Sequence, residues 1–397
     1  MFSRLARTSR AALLIPTLAG LLVLISACGL AVDNNVRLER ASKALDAGDY
    51  RAAAIDTKTV LQEEPENTEA RIILARSSLG LYDGLTAESN FRKALSLGVP
   101  LEDIAVDFGG ALLMNGKYEA VLEEIPRELA QDQARKHNIM QLRADARMAL
   151  GLTVVARSVY EEILDENPDN TDARLGVASS FAAEGNYVDA RKAVDIALES
   201  SPNDTKVWLA SGSIASDVGD LDTARAHYNE AMQLAKASGD VRSKVAALSG
   251  VVEANLALGD LETAEDSLEQ LLGLAPEDVG VKFLVARAAF LRQDYEVAES
   301  TLREVLRAAP AYLPGRLLMG ATQFELGRLG QAESYISGVI SSAPRSNEAR
   351  ALLAEIRIQQ GRADEVAAFL APVLESGTAS DEMTALALRA TLQTGQY

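Results

Sequence analysis

The chain has 397 residues, 48% of them hydrophobic but only 5% aromatic, and 57 acidic side chains against 39 basic ones give a formal charge of −18. That surplus of carboxylates argues against nucleic acid and anionic membrane surfaces as partners, because phosphate binding needs clustered Lys and Arg. A single cysteine excludes an internal disulfide framework and any cysteine-rich metal site.

The N-terminus carries Arg4, Arg7 and Arg10, then an apolar run from Ala11 to Ala27, then Cys28. A basic stretch, a short apolar core and small residues before the cut site make a secretory signal layout. Pro16 interrupts the run, which falls short of the roughly 20 residues that span a bilayer. Ile25-Ser26-Ala27-Cys28 resembles the bacterial lipobox. That resemblance implies cleavage before Cys28, with diacylglycerol on its thiol and a fatty acyl group on its new amino terminus. Gly29, in place of an acidic residue, is similar to the sorting signal for the outer membrane, so the expected location is its periplasmic face. Residues 1–27 are then signal peptide and 28–33 a lipidated linker. No other cofactor is expected.

From residue 34 onward a clock runs through the chain. Gly48, Gly116, Gly151, Gly185, Gly219, Gly259, Gly327, Gly361 and Gly395, with Tyr82 and Gln293 in equivalent slots, are spaced 34 residues apart, save one interval of 35 and one of 40. Pro168 and Pro202 keep the same interval, as do Pro276, Pro310 and Pro344. A period of this length with this punctuation resembles the tetratricopeptide repeat. The resemblance implies an all-α fold, a right-handed superhelical solenoid of helix-turn-helix repeats, each with a helix A, a glycine turn and a helix B. Glycine there suits the left-handed turn that closes helix A. Asp49, Asp220, Asp260 and Asp294 suit the N-cap of helix B. Proline ends helix B, and Asn67, Thr171, Thr205 and Asn347 restart helix A.

Small residues hold the eighth slot of most repeats, as in Ala41, Ala144 and Gly212. The twentieth slot carries Ala53, Ala87, Ala156, Ala190, Ala224, Ala264, Ala298 and Ala332. These are the places where helices A and B press together, so a larger side chain would hold them apart. Phe91, Tyr160, Trp208 and Tyr228 stand where the family carries large apolar plugs. Ten repeats follow over residues 34–380. In the third, Val121 replaces the small residue and Pro126 should cut helix B short; the tenth departs at Val366 and Pro372. The sixth is six residues longer, within AKASGDVRS, as an extended helix or a loop. Residues 381–397 read as a half-repeat, either a terminal cap or the sign of a truncated array.

Chemistry is sparse. His137 and His227 are the only histidines, far apart in the repeat map, so neither a His-based metal site nor a Ser-His-acid triad is readily assembled. No phosphate-binding glycine loop occurs. Glu123-Glu124 and Glu161-Glu162 read as solvated surface. The chain is expected to bind neither metal nor nucleic acid, and to be no enzyme.

Recognition is the remaining task. In the family, slots five, nine, twelve and thirteen of helix A tend to face bound peptide. In the eighth and ninth repeats these give Phe283, Arg287, Phe290, Leu317 and Phe324, whereas the earlier repeats give small residues such as Ser179, Ala182 and Ser213. The Lys and Asn set that clamps a C-terminal carboxylate in chaperone-binding members is not reproduced. The lipobox, an array beginning almost at once, and the stretches NFRKALSLGVP and GKYEAVLEEIP together resemble the long tetratricopeptide lipoproteins of the PEP-CTERM/exosortase system. That resemblance implies a protein-binding scaffold supporting protein sorting or exopolysaccharide export, with envelope proteins or their peptide segments as partners. Two alternatives stay open: an assembly factor for an outer-membrane barrel, secretin or pilus machine, and an accessory subunit of polysaccharide synthesis.

Overall fold

A computed structural model describes residues 33–129 and 132–395. The signal segment, Cys28 with its linker as far as residue 32, and Tyr397 lie outside them. The chain divides into two compact units, one ending at Asn115 and the other beginning at Gly116. The repeat pattern gave no hint of this division, which falls inside the third repeat. All regular structure among the described residues is helical.

In the first unit, α1 (Asn34–Asp46) and α2 (Tyr50–Glu63) form one helix pair and α3 (Thr68–Gly80) and α4 (Gly84–Ser96) the next, followed by α5 (Leu101–Met114). Their interior is made where helices meet on alanine. Ala41, Ala53, Ala70, Ala75 and Ala87 are wholly buried, together with Phe91. Arg76 of α3 reaches Asp107 of α5 at 2.7 Å, and Asn115 donates to Glu88 of α4 at 2.7 Å.

The second unit opens with α6 (Tyr118–Glu124), half the usual length because Pro126 follows directly; a single 3-10 turn, Arg127–Leu129, comes next. Regular pairs then succeed one another: α7 (Gln133–Ala149) with α8 (Thr153–Glu166), α9 (Thr171–Ala183) with α10 (Tyr187–Ser200), and α11 (Thr205–Asp217) with α12 (Leu221–Ser238). The six extra residues of the sixth repeat are helical. They are shared between two helices: α12 grows to 18 residues, and α13 (Val241–Leu258), also of 18 residues, begins directly after Gly239 and its cap Asp240. Then come α14 (Leu261–Leu274), α15 (Val279–Leu291), α16 (Tyr295–Ala308), α17 (Leu313–Glu325), α18 (Leu329–Ser342), α19 (Asn347–Gln359), α20 (Ala363–Glu375) and α21 (Asp381–Thr394). Pro372 does not end α20, which runs on for one more turn.

The turn glycines close their helices in the left-handed region, with φ between +70° and +79° at the eight from Gly48 to Gly361. Tyr82 and Gln293 hold the same conformation, at +60° and +68°, without being glycine. Asp49, Asp220 and Asp260 cap helix B by accepting a backbone N–H three residues on. Asp294 occupies the same position without that bond. Thr171, Thr205 and Asn347 are the first helical residues of their A helices, and the residue before each, Asn170, Asp204 and Ser346, caps the helix by accepting a backbone N–H. All eight alanines of the twentieth slot are completely buried, and Val366 takes that place in the tenth repeat, also wholly buried. Each helix is short for independent stability; covering a neighbour's apolar face supplies the rest.

Aromatic plugs demand space from the next repeat. The Tyr228 ring of α12 lies between Gly212 of α11 and Gly250 of α13, so close that a Cβ on either would sit 2.7 or 2.6 Å from ring carbons. Tyr160 of α8 stands likewise against Gly176 of α9, where a Cβ would sit 2.6 Å away. Trp208 is only half-buried: its indole N–H donates to the Pro202 carbonyl at 2.8 Å, and its ring meets His227 edge-on.

Candidate functional site

Three successive A helices of the second unit, α15, α17 and α19, build a hollow of about 440 Å³. Phe283, Arg287, Phe290 and Leu291 come from α15, Pro314, Leu317, Leu318 and Ala321 from α17, and Glu348 and Leu352 from α19. The side chains arrive there because helix A repeats its orientation every 34 residues, so equal slots of successive repeats stand side by side. Phe283, Arg287, Phe290 and Leu317, picked out by slot in the sequence, are thus brought together on one surface. Phe324 is not. Its half-buried ring packs against the cluster of Ala332, Ile336, Val339, Ala349, Leu353 and Ile356 and serves the stacking of the ninth and tenth repeats.

Two rings of the site are held from behind. Phe283 meets Tyr312 edge-on with centroids 5.3 Å apart, and Phe290 meets Tyr295 at 5.5 Å. Such contacts are worth about 0.5–1.5 kcal/mol beyond area burial and fix the ring positions before any ligand arrives. Burial, reinforced by the carboxylates of Glu253 and Asp278, pushes the Tyr312 phenol up, so its hydroxyl keeps its proton. The surface therefore offers two anchored aromatic rings, aliphatic walls from α17 and α19, one cation in Arg287 and one carboxylate in Glu348.

The sequence reading missed Pro314, Leu318, Glu348 and Leu352. A signal was present: Pro314 and Glu348 share one slot of successive repeats, and Leu318 and Leu352 another, each pair 34 residues apart. Earlier in the unit, α7 and α9 with Lys206 line a more polar hollow of about 600 Å³, Ser179 among its walls. There the Tyr160 hydroxyl donates to Asp145 at 2.8 Å. Burial raises the Asp145 carboxyl, opposed by hydrogen bonds from Tyr160 and Gln141.

The histidines stand in separate settings. His137 lies 2.9 Å from the Glu166 carboxylate, and His227 Nδ1 lies 2.9 Å from the Ser211 hydroxyl. Among the described residues no group of three His, Cys, Asp or Glu is set to hold a metal ion, and no helix is long and apolar enough to cross a membrane.

Three tetratricopeptide-repeat family models match the chain, over residues 147–214 and 323–390, 204–277, and 252–312. No curated protein sequence matches significantly. Among solved structures, the chain is similar to a tetratricopeptide repeat protein from Parabacteroides merdae at 15% identity, covering 64% of this chain and 98% of that one with a TM-score of 0.51. It is similar to the Cut9-Hcn1 assembly of the APC/C at 12% identity, covering 91% and 97% with a TM-score of 0.51. PilW, a type IV pilus biogenesis factor, matches at 19% identity over 56% of this chain and 99% of its own, with a TM-score of 0.47. The matched segments span more than half of the chain, their helix pairs are those described above, and the chain belongs to the tetratricopeptide-repeat family.

Proposed function

We propose that this chain is a protein-binding scaffold held at the periplasmic face of the outer membrane by lipid on Cys28, with the hollow between α15, α17 and α19 as its peptide site. The observation that carries the binding role is the convergence of Phe283, Phe290, Leu317 and Arg287 on one surface, with Glu348 at its side. Two anchored aromatics beside an arginine are the typical centre of a protein interface. The ligand that suits them is a peptide segment of an envelope protein with two apolar side chains and an acidic residue facing Arg287. The lipobox-like Ile25-Ser26-Ala27-Cys28 supports the anchor; several acyl chains at about 0.8 kcal/mol per buried methylene make attachment stable. The resemblance to lipoproteins of the PEP-CTERM/exosortase system gives the setting: protein sorting or exopolysaccharide export.

The test is a pull-down from detergent-solubilised envelopes with the lipidated protein as bait, run beside Arg287→Glu and Phe290→Ala. Sorting or polysaccharide-export components recovered by the parent and lost by both variants support the proposal. Recovery of the same proteins by all three forms removes the hollow from consideration, and recovery of a barrel or secretin machine replaces the pathway. For the anchor, Cys28→Ala should abolish labelling by a fatty-acid analogue; normal labelling of that variant refutes it.

A further inference from the structure

Successive repeats of the second unit are also tied together on the side of their B helices, far from the peptide hollow in the repeat frame. From the fourth repeat to the ninth, a charged residue in slot twenty-one of one repeat meets groups from the next. Glu265 meets Arg292 at 2.6 Å, Glu299 meets Arg328 at 2.8 Å, and Glu333 meets Arg362 at 2.8 Å. Arg157 of α8 is the most complete case. Its guanidinium lies 4.3 Å over the ring of Phe181, near the end of α9, and 2.8 Å from the carboxylate of Glu184, which caps that helix.

One junction on, between α10 and α11, the arginine is kept and its partners are not. Arg191 stands in the slot of Arg157, but α11 carries Ala215 in the slot of Phe181 and Val218 in the slot of Glu184. The result is a cavity of about 210 Å³ with nearly all-apolar walls, lined by Val188, Arg191, Val194, Ala215, Val218 and His227 among others. Arg191 reaches Asp220 at 3.8 Å, longer than a hydrogen bond, and its side chain stays 54% exposed. Val188 and Val218 are 68% and 46% exposed at the same place. The stacked phenyl ring and the close carboxylate of the preceding junction have no counterpart at the matching slots here: the ring at the cavity wall is the His227 imidazole, and the carboxylate of Asp220 stands off at 3.8 Å.

We propose that this cavity is a second docking site, which takes an aromatic side chain from another protein together with a carboxylate carried three residues later. The aromatic ring fills the volume that Phe181 fills one junction earlier. The carboxylate bridges to Arg191 as Glu184 does to Arg157, displacing the long contact to Asp220. The spacing follows from Phe181 and Glu184, which are three residues apart at the end of one helix. The site shares no residue with the hollow on α15, α17 and α19, so either can fail alone.

The chain's only tryptophan reports on the cavity, since Trp208 lies edge-on to His227 with centroids 5.2 Å apart. The full chain is titrated to millimolar concentration with acetyl-Phe-Ala-Ala-Glu-amide while Trp208 emission is followed. Expected is a saturable shift, at least fivefold weaker for the Phe-Ala-Ala-Gln peptide and absent for Ala-Ala-Ala-Glu. Ala215→Phe should fill the cavity from within, abolish the response and leave the melting temperature equal or higher. Val218→Glu, an exposed change independent of that packing, should capture Arg191 and weaken the peptide at least fivefold. No saturable shift, an equal response to the peptide without phenylalanine, or full binding by Val218→Glu would each overturn the proposal.

Discussion

Glycine to alanine inside a helix ordinarily stabilises by about 1 kcal/mol, and the structure predicts that Gly250 in α13 reverses that sign. A Cβ there would lie 2.6 Å from the Tyr228 ring, where carbon contacts settle at roughly 3.5–4.0 Å. The ring would have to withdraw by about 1 Å, and Gly212 stands on its other side with the α11 backbone close behind. With no free direction, the change costs an overpacking penalty of about 1–3 kcal/mol. After the helix-propensity gain, Gly250→Ala should lose up to about 2 kcal/mol in place of gaining about 1. Gly110 in α5 is the matched control, since a Cβ there meets nothing within 4 Å; Gly110→Ala should gain about 1 kcal/mol. Urea titration followed by circular dichroism reads the totals, and hydrogen exchange of α11–α13 amides reads the local change, as a repeat array opens piecewise. Tyr228→Val, the residue that Val194 supplies in the same slot of the fifth repeat, should remove the penalty when combined with Gly250→Ala. Equal stabilisation by Gly250→Ala and Gly110→Ala would refute the packing argument.

Gln293→Gly should stabilise by roughly 0.5–1 kcal/mol. The left-handed conformation at φ +68° costs an L-residue about 1–2 kcal/mol, of which glycine's greater freedom in the unfolded chain returns part; a loss in urea melts would refute it. Ala298→Leu, at a completely buried contact of helices A and B, should cost about 1–3 kcal/mol, and an unchanged melt would mean that this slot is not where the helices meet. Hydrogen bonds from Lys136 and His137 hold the Glu166 carboxyl down at about 2. Its stabilising effect is therefore present above the unfolded value of about 4.5 and lost as pH falls toward 2; Glu166→Gln should destabilise at pH 6 and match the parent near pH 2, and a constant difference across that range would refute the assignment.

The sequence made the repeat frame legible because its punctuation is local chemistry. Gly48 or Gly361 announces a left-handed turn by itself, Pro126 announces a helix cut short, and a run of alanines at one slot announces a close helix contact. Residues whose role depends on a partner in another repeat stayed hidden. Gly176 and Gly250 look like ordinary weak points of helix A until Tyr160 and Tyr228 are seen to occupy the space beside them. Phe290 and Phe324 share one slot, yet only the first lines the hollow, because the second is taken up by Ile336 of its own repeat and by Leu353 and Ile356 across the next junction.

These cases separate two kinds of position in one repeat. Slots eight, twenty and twenty-four are bound to the stack: alanine at twenty is completely buried in every repeat that carries it, and a tyrosine at twenty-four needs a glycine from the following repeat. Slots two, five and nine of helix A make no such demand, and they supply Pro314, Phe283 and Arg287 to the hollow. Substitution at a half-exposed position that packs on no neighbouring ring shifts stability by little, usually within about 0.5 kcal/mol, so Arg287 can vary without loosening the array, whereas Phe283 also carries its contact with Tyr312. Slot twenty-one lies between the two classes. Where the next repeat meets its charge closely, as Arg362 meets Glu333 at 2.8 Å, it fastens the junction; at Arg191, whose partner Asp220 stands at 3.8 Å, the side chain stays toward solvent with an apolar cavity beneath it. A repeat that stacks through small residues can therefore vary its exposed surface one slot at a time, as the different side chains on α15, α17 and α19 show.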